Sequence, residues 1–163
     1  MVGAVVLAAG AASRYGSPKQ HLFMPRVLDA LRASSVEDIV VVAGAYQLDA
    51  GVRVAYCAEW ERGPGASLRC GLNALVEEAE AAIVVLADGP NLDPRAVDRV
   101  IDAWHDGRGE RLAATYDGVN RSHPVLLDDT TWNHIPDAGA RVLPVTLVPC
   151  VDLAAPGDID TPQ

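Results

Sequence analysis

The stretch Val2-Gly3-Ala4-Val5-Val6-Leu7-Ala8-Ala9-Gly10-Ala11-Ala12-Ser13-Arg14-Tyr15-Gly16-Ser17-Pro18-Lys19-Gln20 decides the fold. Its first part is a short, valine-rich apolar run that stops at Gly10. Such a run, bounded by glycine and proline, predicts a strand buried on both faces of a parallel sheet. Its second part is small and polar. Tiny residues let the backbone approach a ligand closely, and successive N–H groups in a loop form a concave anion site. Arg14 and Lys19 add fixed positive charge beside those amides. The chemistry that wants this arrangement is polyphosphate binding, with Arg14 and Lys19 on the phosphates and Leu7, Ala8, Ala9 and Gly10 supplying close backbone contact. Two better-known loops are excluded. The dinucleotide fingerprint lacks its middle glycine, since Gly10 and Gly16 stand six apart. A Walker A loop places lysine directly after its second glycine, and here Ser17 and Pro18 intervene before Lys19.

Outward from this stretch, strand and helix patterns alternate. Pro25 opens a helical stretch with Leu28, Leu31 and Arg32 at helical spacing. Ile39–Ala43, Val52–Tyr56 and Ala82–Ala87 predict further strands. Ser67 starts a helix with Leu68, Leu72, Leu75 and Ala79 on one face. Asp93 reads as a helix N-cap, with Pro94 at the first helical position and Val97, Val100, Ile101 and Trp104 turned to the core. Beyond Gly107, Ala113–Tyr116, Pro124–Leu127 and Val145–Val151 are expected strands and Thr130–His134 a short helix. The alternation predicts a single Rossmann-like α/β domain over residues 1–163, with a mainly parallel central sheet flanked by helices. Ligands of such sheets sit beyond the carboxyl ends of the strands. That singles out Gly10–Lys19, Asp88, and Asp158–Thr161.

Composition narrows the classes. The chain has 163 residues, half of them hydrophobic, enough for one domain whose core needs no covalent staple. Cys57, Cys70 and Cys150 form no CxxC pair, and so sparse and odd a set predicts neither a disulfide framework nor a zinc site, but a reduced, cytoplasmic protein. No apolar run approaches the ~20 residues that span a bilayer, and the N-terminus turns polar too soon for a signal peptide. Thirteen Lys and Arg against 22 Asp and Glu leave a net charge of −9, which argues against non-specific nucleic-acid binding. A few local cations can still hold one triphosphate against that average.

The string LAAGxxxRxGxxKQ resembles the signature of the MobA-like nucleotidyltransferases, closest to the cytidylyltransferases of molybdenum cofactor biosynthesis. Further resemblances follow in order along the chain. Trp60-x-x-Gly63 with Ala66-Ser67-Leu68-Arg69-x-Gly71-Leu72 looks like the family's second glycine-rich loop and helix start. Val85-Leu86-Ala87-Asp88-Gly89-Pro90 looks like its LADQP motif, with Gly89 in place of glutamine. Tyr116-x-Gly118 and His123-Pro124-Val125-Leu126 resemble YxG…GHPvl, with Ser122 in place of glycine. Asp137-Ala138-Gly139-Ala140-Arg141 resembles GDxGAR, and Asp158-Ile159-Asp160-Thr161-Pro162 resembles DIDTP. The chain departs from the family by being short between Lys19 and Pro25, at Tyr46–Gly51, and after Arg141.

The resemblance implies transfer of a nucleoside monophosphate, CMP ahead of GMP, from an NTP to a phosphate-bearing acceptor, molybdopterin first, with release of pyrophosphate. Magnesium is the implied cofactor, with Asp88 and Asp160 as its ligands. Lys19, Arg14 and Asp88 form the implied catalytic set, Ser67 joins the nucleotide contacts, and His123 meets the acceptor. A molybdoenzyme or chaperone partner is implied as well, and neither nucleic acid nor membrane. The alternatives are a non-catalytic nucleotide-binding regulator and a nucleotidyltransferase acting on a sugar phosphate. His21, His105 and His134 lack metal-ligand spacing and are expected at the surface, Trp60 and Trp104 in packing, and Glu77, Glu78 and Glu80 on a solvated helix face.

Overall fold

The short valine-rich runs pair side by side into one sheet, seen in a computed structural model that describes residues 1–8, 20–44 and 51–157, without the side chains of 20–22. The strands are β1 (Val2–Leu7), β2 (Asp38–Ala43), β3 (Arg53–Tyr56), β4 (Ala81–Leu86), β5 (Arg111–Thr115), β6 (Val125–Asp128) and β7 (Thr146–Pro149). The helices are α1 (Gln20–Arg32), α2 (Pro64–Ala74) and α3 (Pro94–His105). The sheet order is β3-β2-β1-β4-β6-β5-β7. Only β6 runs antiparallel to its neighbours; the other pairings are parallel.

Alternation along each strand divides the core. Ala4 and Val6 on β1 face Val27 and Leu31 of α1 and Val97 and Val100 of α3. Val5 faces the other way, toward Leu68 and Leu72 of α2. With both faces covered, the central strands carry no polar face, which is why they read as unbroken apolar runs. Helix α2 lies so close to the sheet that a Cβ on Gly71 would stand 2.4 Å from a Val5 methyl and 2.7 Å from a Val42 methyl.

The element boundaries correct the sequence reading in places. Pro25 lies inside α1, which begins at Gln20. An interior proline costs about 3 kcal/mol, but Met24, Val27, Leu28 and Leu31 are all buried, and each contributes roughly 1.5–3 kcal/mol. Helix α2 begins at Pro64, three residues before Ser67, and ends at Ala74. Proline suits the first helical position because its missing N–H would have had no partner there. Glu77, Glu78 and Glu80 are exposed as expected, but they sit in the turn after α2 and not on a helix. Trp104 donates its indole N–H to Asp128 at 2.8 Å, and Trp60 packs against Gly44, so both serve packing. His105 and His134 are exposed.

The cysteines overturn their reading. Cys57 and Cys70 form a disulfide, with Cα atoms 5.9 Å apart. Cys57 directly follows β3, and α2 folds back over β1 and β2, so its middle turn brings Cys70 alongside. Cys150 is a buried free thiol.

Helix α3 is started as its sequence predicts. The Asp93 carboxylate accepts the Arg95 backbone N–H at 2.9 Å, and Pro94 occupies the first turn. Asp93→Ala is expected to cost about 1 kcal/mol, readable as a shifted urea midpoint with an unchanged slope.

Candidate active site

Strands β1 and β4 are hydrogen-bonded neighbours, yet the chain leaves β1 toward β2 and returns to β4 from the far side. This is the switch point of an open α/β sheet, where a crevice forms at the carboxyl ends of the strands. The register pairs Leu7 with Leu86. Beyond it, Ala8 donates its N–H to Val42 at 2.9 Å and Ala87 donates to Leu7 at 3.1 Å. Ala8 and Asp88 therefore end adjacent strands at the same edge. Asp88 is partly exposed.

His123 reaches this edge from the antiparallel strand. Val84 pairs with Val125, so the residues just before β6 arrive at the carboxyl end of β4. The His123 carbonyl accepts the Tyr116 hydroxyl at 2.7 Å. Burial, opposed by the Asp88 charge and aided by that of Arg121, pushes the His123 imidazole down to about 4. A neutral imidazole is therefore its state near pH 7. Beside it opens a cavity of about 180 Å³, lined by Leu86, Gly89, Leu92, Ser122, His123 and Pro156 among others.

Helix α2 connects the parallel strands β3 and β4 on one face of their sheet, so its amino end also lies at the carboxyl edge. Ser67 stands in its first turns and is 5% exposed. Its hydroxyl does not cap the helix, because Gly63 is the N-cap residue and makes no side-chain bond. No described residue hydrogen-bonds to it. A buried hydroxyl without a partner is uncommon.

The structure thus brings Leu7, Ala8, Asp88 and His123 to one edge and places Ser67 on the helix that begins there. Ala9, Gly10, Arg14, Lys19 and Asp160 lie outside the described residues. Among the described residues, no group of three or more His, Cys, Asp or Glu is placed to hold a metal. Magnesium asks for less, since it binds through one or two carboxylates while keeping waters and substrate oxygens. A partly exposed strand-end carboxylate such as Asp88 fits that donor chemistry.

One cluster is absent from the sequence reading. Asp137 accepts hydrogen bonds from Arg69 at 2.6 Å and Arg62 at 3.2 Å. Arg69 and Asp137 belong to two of the motifs and Arg62 fills an unspecified position of a third, but nothing local in a sequence couples residues so far apart.

With this geometry in hand, the chain can be placed in its class. The family model for the MobA-like NTP transferase domain matches residues 4–142; the chain belongs to that family, and its single α/β domain has the fold of nucleotidyltransferases. Among solved structures it is similar to Rv0371c from Mycobacterium tuberculosis, 26% identical over 98% of this chain and 92% of that one, with a TM-score of 0.79. A complex of that protein with manganese aligns at 22% identity over 91% and 87% of the two chains, with a TM-score of 0.70. A CMP-2-keto-3-deoxy-manno-octonic acid synthetase complexed with CTP shares 12% identity over 98% and 93%, with a TM-score of 0.71. No curated protein matches the chain. Among the described residues, no helix is long and apolar enough to cross a membrane.

The lowered imidazole pKa has a testable sign. The unfolded chain takes up a proton near pH 6.5 and the folded chain only near 4. The unfolded state therefore binds more protons between those values, and stability falls as pH drops from about 6.5 to 4. Urea unfolding across that window, without divalent cations, is expected to show wild type losing on the order of 3 kcal/mol more than His123→Gln.

Proposed function

We propose that this chain transfers a nucleoside monophosphate, CMP in preference to GMP, from an NTP to a phosphate-bearing acceptor of the molybdopterin type. The observation that carries the reading is the meeting of Ala8, the last described residue before the glycine-rich loop, with Asp88 at the switch point of the sheet. Family membership makes the chain a nucleotidyltransferase. The Ala8-Ala9 pair and the Ala87-Asp88-x-Pro90 string favour the cytidylyl branch, and the CTP complex of a protein with the same fold is consistent with it.

The chemistry asks for little covalent help. An acceptor phosphate oxygen attacks the α-phosphorus, the bond to the β-phosphate oxygen breaks, and pyrophosphate leaves. The acceptor is already ionised near pH 7, so no general base is needed. The protein's task is alignment and charge neutralisation. Arg14, Lys19 and the amides of Ala9 and Gly10 would hold the triphosphate, and Ser67 would offer its hydroxyl to the nucleotide. Asp88 and Asp160 would hold magnesium, which supplies charge neutralisation on the α-phosphate and the leaving group; the manganese complex of Rv0371c is consistent with a divalent ion. His123, being neutral, suits a polar uncharged atom of the acceptor better than its phosphate.

The test is pyrophosphate release from each of the four NTPs, with and without molybdopterin. Turnover only with CTP and molybdopterin is the expected result. Tight NTP binding without turnover on any acceptor, sugar phosphates included, would replace this reading with a nucleotide-binding regulator. Lys19→Ala is expected to weaken NTP binding by about 1.5–3 kcal/mol in calorimetry. Unchanged affinity would remove Lys19 from the phosphate site.

A further inference from the structure

We infer that Asp137 is a positioning residue for the nucleotide site, fixing the first turn of α2 through Arg69 and Arg62; the inference rests on the nucleotide-binding reading above. Helix α2 lacks a cap of its own. Gly63 provides no side chain, and Pro64 has no N–H. The first available amide, on Gly65, donates instead to the Asp137 carbonyl at 2.9 Å. The Asp137 carboxylate then takes Arg62, just before the helix, at 3.2 Å and Arg69, within it, at 2.6 Å. Arg69 also donates to the Ile135 carbonyl at 2.6 Å, and Glu59 holds Arg62 at 2.6 Å.

Packing closes the remaining freedom. A Cβ on Gly65 would lie 1.7 Å from the Pro136 carbonyl oxygen, and one on Gly63 2.5 Å from that of Asp137. The helix cannot move toward this turn, and the two arginines keep it from moving away. What the brace holds still is the segment carrying Ser67, whose buried hydroxyl has no partner among the described residues.

Such a brace is suited to geometry more than to stability. The Asp137 side chain is 44% exposed and that of Arg62 55%, and exposed ion pairs contribute little to folding. Loss of preorganisation in a binding segment, in contrast, is felt directly in affinity. Removing the charge should therefore move ligand affinity without moving the melting point much.

The experiment compares wild type, Asp137→Asn, Asp137→Glu and Arg69→Lys, using whichever of ATP, GTP, CTP and UTP binds wild type most tightly. Kd, KM, kcat and melting temperature are measured on each. Asp137→Asn is expected to raise Kd and KM about tenfold, with kcat within about twofold and an almost unchanged melting temperature. Asp137→Glu should recover most of the affinity, and Arg69→Lys should lose part of it, because lysine cannot reproduce the forked contact. Wild-type affinity in Asp137→Asn overturns the inference while leaving the nucleotide reading intact. An affinity loss that only tracks a collapsed melting temperature also overturns it, because the role is then structural. If wild type binds none of the four NTPs, the nucleotide reading falls and takes this inference with it.

Discussion

Asp88→Asn is expected to lower pyrophosphate release by at least about a hundredfold while leaving the circular dichroism spectrum and the melting temperature close to wild type. The substitution keeps the shape of the side chain, so β4 and its pairing with β1 are undisturbed. What it removes is negative charge at the end of a central strand, where a divalent ion would need it. An amide is a weak magnesium ligand and neutralises nothing. The variant should therefore lose the added thermal stability that wild type gains from magnesium and NTP together. Near wild-type turnover in Asp88→Asn would show that the metal is held elsewhere.

Gly65→Ala is expected to be the most damaging of the single-methyl changes. The added carbon would fall 1.7 Å from the Pro136 carbonyl oxygen, and that oxygen belongs to backbone already held in place by Arg69 through Ile135. Neither side can yield without breaking the Gly65 N–H bond to Asp137. A loss of about 3 kcal/mol or more is expected, equivalent to a fall of roughly 6–12 °C in melting temperature for a chain of this size. Gly107→Ala serves as the control. Its added carbon would have open space, but its positive φ of 74° predicts a smaller cost of about 1 kcal/mol.

The parts of the fold legible in the sequence are those whose signals are local. β1, β2 and β4 are buried on both faces, so their apolar runs are unbroken. α3 carries its own cap and a strong amphipathic stripe. The start of α1 was hidden because proline normally ends such a reading, and only tertiary burial of its four apolar residues outweighs that. The start of α2 was hidden because its cap comes from Asp137, which no window around Pro64 contains. The meeting of Leu7, Ala8 and Asp88 at one edge was legible because the strand ends of a parallel sheet share an edge. The state of His123 was not legible, since its neutrality comes from burial beside β4.

The bond between Cys57 and Cys70 bears on the chain when it is not folded. Joined at a separation of 13 residues, the two sulfurs make that stretch a closed ring in every denatured conformation. A ring of this size removes on the order of 3 kcal/mol of unfolded-state entropy in the chain-entropy model. Opening it changes the reference against which folding is measured even where the native fold hardly moves. Melting curves taken with and without a reducing agent should therefore differ by about as much as a badly chosen core substitution. The margin by which this protein stays folded is then partly a property of the thiol balance around it.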